Sequence, residues 1–212
     1  VKKYFLALTP QNELNEKISS DKKRIFEEIG DQQYLMDPPH ITLYVGQTSN
    51  MDKVIFALDK FMHSNKNKVS LRINIEGWKL FSDDIVTRKD AIALGFDKET
   101  VVNLRQFQTE VINYLIEKKA IYVTEDEIHH RYSDSEKFKA EQRKLLAEKG
   151  YPFIGKEWIP HINICCTQKE NIDIIKGIIN IEQYFSLRSK LSLKMFELID
   201  DVPHEIWRYD LG

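Results

Sequence analysis

The stretches Pro39-His40-Ile41-Thr42-Leu43 and Pro160-His161-Ile162-Asn163-Ile164 repeat one pattern, proline, histidine, apolar, polar, apolar, within a chain of 212 residues. Side chains of a β-strand alternate between faces. As strands, the two stretches therefore put His40 with Thr42, and His161 with Asn163, on one face, while Ile41, Leu43, Ile162 and Ile164 point the other way into a core. Two such strands side by side bring two imidazoles and two hydrogen-bonding side chains into one cleft. Histidine titrates near neutrality, so one imidazole can take a proton from an attacking hydroxyl or water while its protonated partner gives one to a leaving oxygen. The Thr42 hydroxyl and the Asn163 amide can donate to nonbridging phosphate oxygens. Such a set requires neither metal nor cofactor, and each acid–base group contributes on the order of 100- to 10,000-fold.

Outward from the first stretch, residues 4–8 read as a strand. Thr9-Pro10 then offers an N-cap and first turn for a helix that ends near Gly30, with Leu14, Ile18, Ile25 and Ile29 on one face. Residues 40–45 form the motif strand. Residues 51–62 form an amphipathic helix with Val54, Ile55, Leu58 and Phe61 inward, and residues 69–75 a strand whose polar face holds Ser70, Arg72 and Asn74. Arg72 reaches the phosphate if that face lines the cleft and meets solvent otherwise. Residues 91–96 form a strand with Ala91, Ala93 and Gly95 on one face, which leaves room for a substrate or for a closely packed helix. A helix over residues 100–118 carries the stripe Leu104, Phe107, Val111 and Leu115.

In residues 121–158, Ser133 and Glu136 have capping-box spacing ahead of a charged helix that Gly150 is placed to end. This segment is either a lid or specificity insertion carrying His129, His130, Arg131 and Tyr132 toward a ligand, or a surface loop and helix. After the second stretch, Thr167 and Glu170 repeat the capping-box spacing, and Ile174, Ile175, Ile178 and Ile179 form the buried side of a short helix. Residues 185–199 read as one or two antiparallel strands, and residues 205–211 as a last strand after the turn at 200–203. Each half thus runs from a histidine strand to a helix and paired strands, so a pseudo-symmetric cleft between two lobes is expected.

Composition narrows the classes of function. A formal net charge of −2 argues against a surface that grips long nucleic acid and favours a small nucleotide or short oligonucleotide. Lys22-Lys23-Arg24, Lys66-Asn67-Lys68 and Lys118-Lys119 read as solvated faces. The two cysteines, Cys165 and Cys166, are adjacent, so on a strand they face opposite sides, which disfavours a mutual disulfide and joint metal coordination; a reducing cytoplasm follows. His129-His130 alone is not a metal-ligand spacing. No apolar run is long enough for a signal sequence or a membrane span, so a soluble, cytoplasmic monomer is expected.

The doubled motif resembles the His-x-Thr/Ser-x pair of the 2H phosphoesterase superfamily, which includes the bacterial 2′-5′ RNA ligase-like proteins and cyclic nucleotide phosphodiesterases. His40-Ile41-Thr42-Leu43 matches it in full; His161-Ile162-Asn163-Ile164 has asparagine where threonine or serine is usual. The resemblance covers most of the chain but finds no counterpart for residues 121–158. It implies an α+β, bilobal, pseudo-symmetric fold of two antiparallel sheets facing a central cleft with helices outside, as one domain over residues 1–212. It further implies His40 and His161 as the catalytic pair and Thr42 and Asn163 as phosphate ligands. The implied activity is metal-independent cleavage of a small 2′-5′-linked, 2′,3′-cyclic or cyclic-oligonucleotide phosphodiester, in RNA processing or in degradation of nucleotide signals, anti-defence included. Tyr44, on the motif face, and Trp158, two residues before Pro160, are the aromatics able to stack on a base. The alternative is a weakly active or inactive nucleotide-binding protein on the same fold. A metal hydrolase drawing on His63, His129, His130 and His204, and a purely structural protein, stand behind it.

Overall fold

A computed structural model describes residues 1–65, 71–84, 87–121, 135–200 and 202–211, and in it the two histidine stretches open edge strands of two different sheets. The described strands are β1 (Lys2–Pro10), β2 (Ile41–Thr48), β3 (Ile75–Phe81), β4 (Asp90–Phe96), β5 (Ile162–Thr167), β6 (Leu191–Ile199) and β7 (Val202–Asp210). One sheet has the order β2-β1-β6-β7 and the other β3-β4-β5, with every neighbour antiparallel. The edge strands β2 and β5 approach each other. The described helices are α1 (Asn12–Ile29), α2 (Met51–Asn65), α3 (Lys98–Glu117), α4 (Ala140–Lys149) and α5 (Asn171–Ile178). This is the expected α+β arrangement of two antiparallel sheets.

The apolar side of each motif strand holds the sheets to the helices. Ile41, Leu43, Ile162 and Ile164 are fully buried in one core with Leu6, Leu8, Ile92 and Leu94, joined by Leu14 and Ile18 of α1, Leu58 of α2 and Leu104 and Val111 of α3. Each such side chain contributes roughly 1.5–3 kcal/mol on burial. Asp97 caps α3 by accepting from the Thr100 amide at 2.7 Å, and that hydrogen bonding holds its carboxyl below the usual range. Gly30 and Gly150, at φ 74° and 69°, end α1 and α4 as their positions in the sequence lead one to expect.

Several local expectations are corrected, each because tertiary pairing outweighs a local signal. Thr9 and Pro10 are not a helix start. They extend β1, where Pro10 lies opposite Leu191, and α1 begins two residues later behind Gln11, whose amide donates to Ser189 Oγ at 2.8 Å. Of the strand expected at 69–75, the described part makes only an isolated bridge from Ile73 to Ser189, and the regular strand β3 starts at Ile75. The Thr167/Glu170 capping box does not form, because Thr167 ends β5 and its Oγ accepts instead from Asn171 Nδ2 at 2.9 Å. Ile172, rather than the exposed Ile174, is buried with Ile175 and Ile179. β6 begins only at Leu191, preceded by a 3-10 turn at Ile181–Tyr184, and β7 begins at Val202.

Within residues 121–158, Ser133 and the cluster from His129 to Tyr132 lie outside the described residues. From Ser135 onward the chain packs on α3 and the core side of β2. Phe138, Leu146, Tyr151 and Ile154 are buried, Gln108 Oε1 accepts from the Gly155 amide at 3.0 Å, and Tyr44 donates to the Lys149 carbonyl at 2.9 Å.

A candidate two-histidine active site

Both motif strands carry a bulge immediately after the polar residue of the motif. Ala7 lies opposite Thr42 and Leu6 opposite Tyr44, so Leu43 is the extra residue; Ala93 lies opposite Asn163 and Ile92 opposite Cys165, so Ile164 is the extra residue. A bulge interrupts the two-residue alternation and re-aims the side chains that follow. Tyr44 and Cys165 consequently turn to the core, while Cys166 joins Asn163 on the histidine face. Cys165 and Cys166 are both free thiols, and burial pushes both upward, Cys165 to about 12.

Register then carries the histidine faces across each sheet, because residues directly opposite on neighbouring strands share a face. In the larger sheet the row is Thr42, Ala7, Lys194; in the smaller it is Asn163, Ala93, Lys79. Two residues along the third strand stands a phenylalanine in each case, Phe196 and Phe81. The small-residue face of β4 is therefore the face of His161, and part of its room is used by Phe81, whose ring reaches across to lie 4.7 Å from the His161 imidazole. His40 rests on Phe5, 5.2 Å between ring centroids, and Phe5 stacks on Phe196 at 4.7 Å.

Each imidazole is oriented by a carbonyl two residues upstream. Nδ1 of His40 lies 2.7 Å from the Pro38 oxygen, and Nδ1 of His161 lies 2.7 Å from the Ile159 oxygen. A carbonyl can only accept, so Nδ1 carries the hydrogen and Nε2 keeps its lone pair in the neutral ring. Burial lowers both histidines from 6.5. His40 falls to about 4, with the Lys22 ammonium and the His161 imidazole adding to the depression. His161 is lowered in the same direction, opposed by the nearby Asp84 carboxylate and assisted by Lys79.

Lys22 is the largest departure from the sequence reading. Far from solvated, it is 5% exposed and donates to the Tyr34 and Asp37 carbonyls at 2.9 and 2.8 Å, bracing the loop that delivers Pro38 and His40. Burial brings it down to about 8. The signal was present in the sequence, since position 22 stands four after Ile18 and three before Ile25 on the apolar face of α1. The Lys-apolar-Phe repeat at Lys79-Leu80-Phe81 and Lys194-Met195-Phe196 is a second signal of the same kind.

Of the other candidates, Thr42 and Asn163 are half-buried on the histidine faces. Asn163 donates through Nδ2 to Cys166 Sγ at 3.6 Å, and its Oδ1 is buried without a partner among the described residues. Tyr44 is not on the motif face. The bulge places it in the core, 2% exposed, beside Tyr4 and Tyr151, where it cannot stack on a ligand. Trp158 is likewise a core residue at 4%, its carbonyl accepting from Arg105 Nε. Arg72 is exposed on the segment leading into β3. Among the described residues no three His, Cys, Asp or Glu side chains converge to hold a metal ion, and no helix is long and apolar enough to cross a membrane.

No protein-family model and no curated protein matches this chain. Solved structures do. LigT of E. coli complexed with 3′-AMP has a TM-score of 0.53 at 10% identity, over 99% of this chain and 97% of that one. LigT in apo form gives 0.52 at 12% identity, over 99% and 96%. A phosphoesterase crystal structure gives 0.50 at 10% identity, over 99% and 98%. The chain thus shares its fold with LigT and with this phosphoesterase, two antiparallel sheets with helices as the doubled motif led one to expect. The likeness in fold extends over nearly the full length of the chains compared.

Proposed function

We propose that this protein is a phosphodiesterase of the two-histidine type, acting on a small 2′-5′-linked, 2′,3′-cyclic or cyclic-oligonucleotide phosphodiester. The observation that carries the reading is the matched pair of imidazoles, each with Nδ1 committed to a backbone carbonyl at 2.7 Å and Nε2 left for chemistry. His40, held neutral by burial and by Lys22, is the base. It takes the proton from the attacking water or ribose hydroxyl as the new bond to phosphorus forms. His161, whose depression the Asp84 carboxylate opposes, is the acid, and the negative charge of a bound phosphate draws it toward its protonated form. It passes that proton to the leaving oxygen as the old bond to phosphorus breaks. Thr42 donates to a nonbridging oxygen. The similarity in fold to LigT, one of whose structures holds 3′-AMP, supports a nucleotide as the ligand.

A second reading, a nucleotide-binding protein without turnover, draws on Asn163, whose amide is engaged with Cys166. The test is a panel of 2′,3′-cyclic nucleotides, 2′-5′ diadenylate and cyclic oligonucleotides, with and without chelator. Chelator-insensitive product formation supports the phosphodiesterase. Tight binding without product supports the second reading.

A further inference from the structure

The half of the cleft around His161 differs from the half around His40 in how it can meet an anion. Thr42 offers a hydroxyl, whereas Asn163 is turned toward Cys166 and leaves its own oxygen buried and unpaired. Lys79 lies on the same face as Asn163, separated from it only by Ala93. Nothing on β4 screens the two, because Ala93 is small and Gly95 has no side chain; a Cβ placed at Gly95 would stand 3.5 Å from Lys79 Cβ. The His161 ring is drawn over this same strand, against Phe81 two residues along from Lys79.

The opposite lobe supplies the contrast. Lys194 occupies the equivalent place, opposite Ala7 in the row of Thr42, but its Nζ is paired with Glu205 at 2.7 Å. Lys79 has no such ion pair among the described residues and is half-buried on the cleft face. An ammonium held there with no ion pair among the described residues, close to an imidazole on which its charge acts, is placed for an anionic ligand.

We propose that Lys79 is the phosphate-binding residue of the His161 half of the cleft, donating a charged hydrogen bond to a nonbridging oxygen where Asn163 does not. This rests on the reading of the cleft as a phosphodiester site. A charged hydrogen bond of this kind makes affinity for phosphate-bearing ligands salt-dependent, and its loss weakens binding by about 10- to 100-fold.

The test is calorimetric titration of the full chain and its Lys79→Met, Lys79→Arg and Lys194→Met variants with adenosine 3′-monophosphate and 2′,3′-cyclic AMP at several salt concentrations. Circular dichroism monitors the fold. The expected result is a 10- to 100-fold loss with a shallower salt dependence for Lys79→Met, recovery in Lys79→Arg, and little change in Lys194→Met. Unaltered affinity in Lys79→Met overturns the proposal, as does a loss that leaves the salt dependence unchanged, which would mark a structural role. Failure of the unmodified protein to bind either nucleotide overturns the phosphodiester reading itself, and Lys79's role with it.

Discussion

Leu43 and Ile164 are equivalent residues in the two lobes: each is the bulged position directly after the polar residue of its motif, and each is fully buried. This irregularity is common to the two motif strands. It ends the alternation that would bring the second residue after the motif's polar position onto the histidine face, and so sends Tyr44 and Cys165 inward. What remains on that face is a pair of imidazoles, a hydroxyl, an amide and two lysine rows.

Removal of either imidazole is expected to leave the fold intact and to slow turnover sharply. Both rings are half-buried at the starts of edge strands, so His40→Ala and His161→Ala create small losses of packing against Phe5 and Phe81. Each should lower kcat by about 100- to 10,000-fold. Steady-state assays on the substrate found by the panel, with thermal denaturation alongside, check this.

Acid should destabilise the protein through His40. Its folded-state value, about 4, lies below the ordinary 6.5, so between these limits the unfolded chain binds a proton that the folded chain does not. Stability attached to this group is complete above pH 6.5 and falls as the pH drops toward 4, and His161 acts in the same direction. Urea denaturation from pH 4 to 7 should show this slope, flattened in a His40→Asn, His161→Asn double variant. The ring nitrogens of His40, followed by long-range 1H–15N spectra, should show Nδ1–H tautomer and no protonation at pH 5.5.

Lys22→Met should both loosen the loop and change His40. It strips the Tyr34 and Asp37 carbonyls of their donor, at a cost of about 1–3 kcal/mol, and it removes a positive charge that depresses the imidazole. The expected outcome is a lower melting temperature together with a His40 titration displaced upward. A melting change without the displacement would mean that Lys22 acts on the loop alone.

Asn163→Thr should improve the site. It replaces an amide whose oxygen is buried without a partner among the described residues by the hydroxyl that serves the other lobe, giving a gain of about one hydrogen bond, roughly tenfold in kcat/KM. Parallel assays of this variant with the unmodified chain measure it, and a fall in activity would show that the Asn163–Cys166 contact matters to the reaction.

The motif strands and the helices α1 to α3 were legible because each rests on a pattern of period 2 or 3.6 over most of its length. The places of His40 and His161 at the starts of β2 and β5 follow from the repeated pattern. The failures trace to effects that sequence alternation does not encode. A bulge costs one residue of register, which moved Tyr44 into the core. Long-range pairing to β6 carried β1 through Thr9 and Pro10, against their helix-starting chemistry. Lys22 was read by residue type, although its place on the apolar face of α1 argued for burial, with its charge met by two carbonyls. Trp158 was close to the motif in sequence only; its ring belongs to the core around α3.

The central claim, a two-histidine phosphodiesterase, is tested most directly by incubating the protein with 2′,3′-cyclic nucleotides, 2′-5′ diadenylate and cyclic oligonucleotides, with chelator present, and resolving the products by chromatography. The account predicts turnover of at least one class that survives chelation and disappears in both His40→Ala and His161→Ala. Turnover at the unmodified rate in either variant, or no product from any member of the panel, would contradict it.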